Sequence, residues 1–202
     1  MAAKAEDRRV QRTRKLLLDA LMELMLEKGY ETVTIQDIID RANVGRSTFY
    51  AHYLDKEALL LSGFEQLRQF LTQHVGMAPA AAKGTNRLTL GFSLAMLQHV
   101  QSHHRMHQAI FGKPSGAIVQ QQFQRIVADL VRREIAALVP SGTPLAVPLD
   151  VVVQYTASAF LALMTWWLDQ KMPCSVEEMD RMFRALVSPG ITAALGLPSA
   201  VT

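Results

Sequence analysis

The side chains best suited to chemistry in this sequence lie between residues 34 and 56: Thr34, Gln36, Arg46, Ser47, Thr48, Tyr50, His52 and Lys56. They suit recognition of a polyanion better than bond breaking. Arg46 offers a planar fork of donors that fits O6 and N7 of guanine in a major groove. Ser47 and Thr48 are small enough to let a helix approach closely. Tyr50 and Lys56 have the reach for phosphates, and Thr34 stands where a helix amino terminus can meet a phosphate oxygen. Gln36 and His52 belong to the same set. No nucleophile motif, metal-protease pair or Gly-rich strand-to-helix turn occurs in the sequence, so no catalytic grouping stands out.

These residues need rigid elements to hold them. Thr34 and Asp37 have capping-box spacing, which predicts a short helix with Ile35, Ile38, Ile39 and Ala42 as its apolar face. Asn43-Val44-Gly45 predicts a tight turn, because Asn and Gly tolerate positive φ. A second short helix is expected over Arg46 to His52, locked down by Val44 and Phe49. Asp55 caps the next helix, which runs through Lys56, Leu59, Phe64, Leu67 and Leu71 towards His74. Two helices this short bury little alone and need a frame. The first helix, expected from Arg8 to Lys28, supplies part of it: Asp19, Glu23 and Glu27 form an acidic stripe opposite Leu17, Leu21, Leu24 and Met25. Gly29 is expected to end it as a left-handed cap. Helix-turn-helix geometry uses such a unit to push its second short helix into a major groove.

The run Thr34-x-x-x-Ile38-Ile39-x-x-Ala42-Asn43-Val44-Gly45-Arg46-Ser47-Thr48-Phe49-Tyr50-Ala51-His52-Tyr53-x-x-Lys56-Glu57-Ala58-Leu59 resembles the signature of TetR/AcrR-type transcriptional regulators. Ser47-Thr48-Phe49-Tyr50 followed by Lys56-Glu57 is its specific core. Ile39 stands where the family often has Ala, Asn43 where Gly is common, and Gly45 where Ser is common. The stretch from His107 to Arg133 looks like the helical effector domain of some members. The resemblance implies an all-α protein of about nine helices. A three-helix DNA-binding domain would occupy residues 1–56, and a larger effector-binding and dimerisation domain residues 57–202. It implies a homodimer on a palindromic double-stranded operator, released by a small apolar effector, hence a repressor, with an activator as the variant reading. No cofactor is expected. The alternative is a helical ligand-binding or protein-interaction module without DNA binding, and Arg46, Tyr50 and Lys56 argue against it.

The remaining sequence sets limits. Half of the 202 residues are hydrophobic, enough for a sizeable core, and the single Cys174 excludes a disulfide framework and a Cys-based zinc finger. The formal charge of +3 permits a polyanionic partner without demanding one. Lys4, Arg8, Arg9, Arg12, Arg14 and Lys15 face only Glu6 and Asp7 in the same stretch, which suits either a solvated arm or a phosphate-attracting tail. No secretory signal is visible. Val151 to Leu168 carries no charge, but Gln154, Ser158, Thr165 and Asp169 share one helical face, so a buried helix of a cytoplasmic protein is expected rather than a membrane span.

Gly76 to Asn86 is the expected boundary, followed by helices near 87–102, 104–111, 115–138 and 148–171. Phe123, Ile126, Val127, Leu130 and Val131 should point inward, with Arg125, Asp129, Arg132 and Arg133 outward. Ser175 and Glu178 form a second capping box before a helix with Met179, Met182, Phe183 and Leu186 as its apolar face, broken or kinked at Pro189-Gly190. Candidate effector contacts are Met96, Val100, His104, Phe123, Val127, Phe160 and Met164. Candidate dimer contacts are Trp166, Trp167, Met179 and Phe183. His99, His103 and His107 share a face with His104 alongside; solvated or ligand-lining histidines outweigh a metal site there. Gly112 to Gly116 reads as an interhelical turn rather than a phosphate loop, and Cys174 as an inert thiol.

Overall fold

A computed structural model describes residues 2–75, 88–105, 107, 117–139 and 145–196. Among these residues the fold is all-α, without strands. The helices are α1 (Ala2–Lys28), α2 (Ile35–Ala42), α3 (Arg46–His52), α4 (Lys56–Val75), α5 (Phe92–Ser102), α6 (Ala117–Leu138), α7 (Leu149–Asp169) and α8 (Val176–Ala194), with a 3-10 turn at Tyr30–Thr32. The expected boundary at Gly76–Asn86, most of the helix over 104–111, the turn at 112–116 and the tail after Gly196 lie outside the described residues.

The chain divides into two compact units. One takes Met1–Leu67 and Arg105–Ile118, the other Arg68–His104 and Val119–Thr202. Leu59 and Leu60 of α4 are buried within the first unit. At Gly63 the same helix runs so close to α1 that a Cβ would stand 2.9 Å from Leu18 Cδ1. The core of this unit holds Leu17, Leu21, Leu24 and Met25 of α1, Ile38 and Ile39 of α2, and Phe49 of α3. Each such side chain stabilises the fold by ~1.5–3 kcal/mol relative to exposure.

Three local features seat the short helices. Thr34 and Asp37 form the expected capping box at the start of α2. At its end Asn43 adopts φ 52, ψ 50, the left-handed conformation. Gly45 sits at φ −71, so the turn's demand for positive φ falls on Asn43 and not on the glycine. Gly29 also departs from expectation. Its φ of 82 is positive, but ψ is 150, so the chain leaves α1 extended and enters the 3-10 turn instead of closing in a left-handed cap.

In the second unit Phe92, Phe160 and Phe183 of α5, α7 and α8 meet edge to face, with centroids 5.3, 6.3 and 5.1 Å apart. α5 starts at Phe92, later than expected. The Glu134 carboxylate of α6 gathers the amides of Thr89, Leu90 and Gly91 just ahead of it, and holds Leu90 at φ 45. The expected inward and outward faces of α6 hold: its apolar stripe is buried and its four charged residues are exposed.

α8 opens on the expected Ser175–Glu178 capping box. Its buried face is Val176, Met179, Phe183, Val187 and Ile191, while Met182 and Leu186 point outward, 41% and 66% exposed. The helix runs through Pro189 unbroken to Ala194. Proline removes one backbone bond, but Val187 and Ile191 are buried on either side of it and hold the helix to the core. α7 is long and apolar enough to cross a membrane by length and composition. Its residues Val153, Ala157, Phe160, Met164 and Trp167 are buried in the second unit.

Candidate nucleic-acid interface

α3 is fixed by one side chain and exposed by most of the others. Phe49 is wholly buried, with its ring 5.4 Å from Tyr50 and 6.1 Å from Tyr53. Arg46, Ser47 and Tyr50 are exposed, and Thr48 and His52 are half-buried. On the flank facing α2, Arg46 Nη1 donates to Gln36 Oε1 at 3.5 Å, and its guanidinium lies 5.8 Å from the Tyr50 ring centre. The structure thus joins Gln36, Arg46 and Tyr50 in one exposed row. Arginine and a side-chain amide are the groups that read guanine and adenine edges in a major groove.

The opposite flank of α3 opens on a cleft of about 470 Å³ between α1 and α3. Arg9 and Thr13 line it from α1, and Ser47, Thr48 and His52 from α3. Arg9 and Thr13 were not among the expected site residues. The basic run from Lys4 to Lys15 was the available signal, but nothing in it singles out Arg9.

Thr34 and Lys56 are engaged within the fold. The Thr34 hydroxyl donates to Asp37 Oδ2 at 2.6 Å and accepts from the Asp37 amide at 3.2 Å. Lys28 Nζ reaches the same carboxylate at 2.8 Å. The Lys28 ammonium, aided by the Thr34 donors, holds the Asp37 carboxyl well below the usual carboxylate range. The Lys56 ammonium donates to the carbonyls of Tyr30 at 2.9 Å, Glu31 at 3.2 Å and Val33 at 2.9 Å. Three carbonyls match the three protons of an ammonium group. Burial, followed by the nearby carboxylates of Glu57, Glu31 and Asp55, pushes the Tyr30 hydroxyl up to about 12.

Arg41 ties α2 to the acidic stripe of α1. It holds Glu27 through two bonds of 2.8 and 2.7 Å and Glu23 through one of 3.1 Å. Asp55 accepts from the Ala58 amide at 2.7 Å, capping α4 as expected.

In the second unit Met96, Val100, Phe123, Val127, Phe160 and Met164 are buried, and His104 is half-buried. The rings of His99 and His103 lie 4.5 Å apart, and His103 Nδ1 is 2.9 Å from the His99 carbonyl. Burial, then His103, pushes His99 down to about 4. Among the described residues no group of three His, Cys, Asp or Glu is placed to hold a metal.

Of the expected dimer contacts, Trp167, Met179 and Phe183 are buried inside the protomer at no more than 1% exposure, so they have no surface to give a partner. Trp167 Nε1 donates to the Cys174 carbonyl at 3.0 Å. Trp166 is 47% exposed. Val151 and Tyr155 of α7 and Met182 and Leu186 of α8 are the other exposed large hydrophobic residues of these helices.

A capped α2, a turn through left-handed Asn43 and an exposed α3 anchored by Phe49 define a helix-turn-helix domain. Residues 17–62 match the family described as bacterial regulatory proteins, tetR family, and residues 89–189 match the transcriptional regulator C-terminal region. The chain belongs to the TetR family of transcriptional regulators.

It is 24% identical over 181 residues to the HTH-type transcriptional regulator YxbF of Bacillus subtilis, covering 88% of this chain and 45% of YxbF. The chain therefore spans less than half the length of that relative. A TetR transcriptional regulator from Streptococcus agalactiae superposes with a TM-score of 0.63 at 26% identity, over 92% of this chain and 99% of that one. FadR of Thermus thermophilus, a TetR-family repressor solved in complex with lauroyl-CoA, has the same fold. Its TM-score is 0.58 at 19% identity, over 94% of this chain and 98% of that one.

Proposed function

We propose that this regulator is a ligand-responsive repressor: a homodimer reads a palindromic double-stranded operator and leaves it when a small apolar effector binds. The observation that carries this reading is the exposed row in which Arg46 and Tyr50, on the α3 helix anchored by buried Phe49, join Gln36 of α2. Arg46 takes guanine through its two-pronged fork, and Gln36 contacts the neighbouring base edge. Ser47 and Thr48 allow close approach, and Tyr50 and His52 meet the backbone. Thr34 and Lys56 position the unit. Thr34 fixes the start of α2, and Lys56 spends its donors on the 3-10 turn beside it.

Residues 1–56 carry the reading head and residues 57–202 the effector site and dimer contacts. The effector site draws on Met96, Val100, His104, Phe123, Val127, Phe160 and Met164. FadR, which shares this fold, is solved with lauroyl-CoA, whose lauroyl chain is apolar, and this supports an effector with an apolar part. The two copies pair through Trp166 and the other outward apolar residues of α7 and α8, placing reading heads one helical turn of DNA apart, ~34–36 Å. The effector releases DNA by binding more tightly to a dimer whose heads are wrongly spaced. The regulator acts in the cytoplasm, where its operator lies.

A gel shift on DNA from just upstream of its own reading frame tests this, run across salt concentrations with random DNA as competitor. Salt-sensitive binding that survives competitor is expected. Weak and equal binding to both DNAs, followed by failure of a random-sequence selection, overturns the reading.

A further inference from the structure

An α-helix with its side chains is ~10–12 Å across, and the major groove of B-DNA is ~12 Å wide. A helix seated in that groove therefore meets a sugar–phosphate strand on each flank. On one flank of α3 stand Gln36, Arg46 and Tyr50. On the other is the cleft shared with α1. The polar residues among its lining are Arg9, Thr13, Ser47, Thr48 and His52, with no Asp or Glu. The Thr13 hydroxyl donates to the Arg9 carbonyl at 3.0 Å, which leaves Arg9 with Ser47, Thr48 and His52 as the residues able to donate to a phosphodiester: one fixed positive charge, neutral donors and no competing anion.

We infer that the cleft between α1 and α3 seats the DNA backbone, with Arg9 as the phosphate contact and Thr13, Ser47 and His52 around it. α1 is then part of the reading head as well as its frame. The inference rests on the DNA-binding reading above and extends it to residues outside the helix-turn-helix. It also separates the basic residues of α1 from one another. Arg9 lines the cleft, whereas Lys15 is held by Asp19 at 2.5 Å, and Arg14 is exposed and not among the lining residues.

The test uses the full chain and an operator obtained from its own upstream DNA or by selection. Affinity is measured against salt concentration for wild type, Arg9→Gln, Arg9→Lys and Arg14→Gln, on operator and on random DNA. Loss of one phosphate contact lowers the slope of log K against log salt by ~0.9. Arg9→Gln is expected to show that drop and to lose affinity by the same factor on both DNAs. Arg9→Lys keeps the charge and the slope, and Arg14→Gln matches wild type. A wild-type slope for Arg9→Gln overturns the inference. So does an equal drop in Arg9→Gln and Arg14→Gln, which would mark a diffuse basic tail instead of a seat. Absence of DNA binding by wild type overturns the reading on which the inference rests, and the two failures are distinct.

Discussion

The Lys56 ammonium stands 4.5 Å from the centre of the Tyr30 ring and donates to the Tyr30 carbonyl at 2.9 Å. With the bonds to Glu31 and Val33, this places the first residue of α4 against the link between α1 and α2. On the proposed reading, a charge so engaged would support the reading head rather than face a phosphate. Lys56→Ala is expected to cost ~2 kcal/mol of stability, since charged hydrogen bonds are lost and carbonyls are left unpaired. The salt dependence of DNA binding should stay at the wild-type slope. Urea unfolding and a salt titration check the two halves. A stable variant with a slope lower by about one unit would make Lys56 a phosphate contact instead.

The turn between α2 and α3 depends on Asn43. At φ 52 a residue with an ordinary Cβ pays a steric cost of ~1–2 kcal/mol, which Asn tolerates and Gly avoids. Asn43→Ala should therefore lower stability by ~1 kcal/mol, while Asn43→Gly stays near wild type. Thermal melts of the two variants decide this, and equal melting temperatures would contradict it.

Asp37 makes the start of α2 sensitive to acid. Its carboxyl titrates below the ordinary range because the Lys28 ammonium and the Thr34 donors favour the charged form. A depressed native pKa gives stability that is fully present above the unfolded value, ~4. That stability is lost as pH falls through the native value. Wild type should exceed Asp37→Asn in stability by a constant margin near neutral pH, and the margin should close in strong acid. Melts of both proteins from neutral pH downward test the sign. A margin independent of pH would remove the carboxylate from the account.

Trp166 and Trp167 illustrate what the sequence could and could not show. They are neighbours on α7, yet one is 47% exposed and the other wholly buried. Helical periodicity tells which residues share a face. It does not tell which face meets the core when apolar residues ring the helix. The same ambiguity placed Met182 and Leu186 of α8 in the core face. Local signals were legible: both capping boxes involve residues three apart, and the bounds of α3 follow from the turn before it and Asp55 after it. Long-range contacts were not. Lys56 meets Tyr30 across 26 residues and Glu134 meets Thr89 across 45, and no local pattern encodes either.

The outward residues of α7 and α8 give the proposed dimer its test. Leu186 is 66% exposed, and Leu186→Glu puts a charge on that surface at little cost to the core. Sedimentation should show a monomer with a melting temperature governed by the intact protomer. Phe183→Ala should instead lose ~3–5 kcal/mol through a core cavity. A Leu186→Glu protein with the mass of wild-type dimer would contradict the assigned face.

The central claim is that Arg46 reads base edges from the exposed row of α3. Its most direct test is the affinity of wild type and Arg46→Ala for operator and for random DNA at one salt concentration. The account predicts a loss of ~1–3 kcal/mol on the operator with little change on random DNA. An equal loss on both would contradict it and leave Arg46 as a backbone contact.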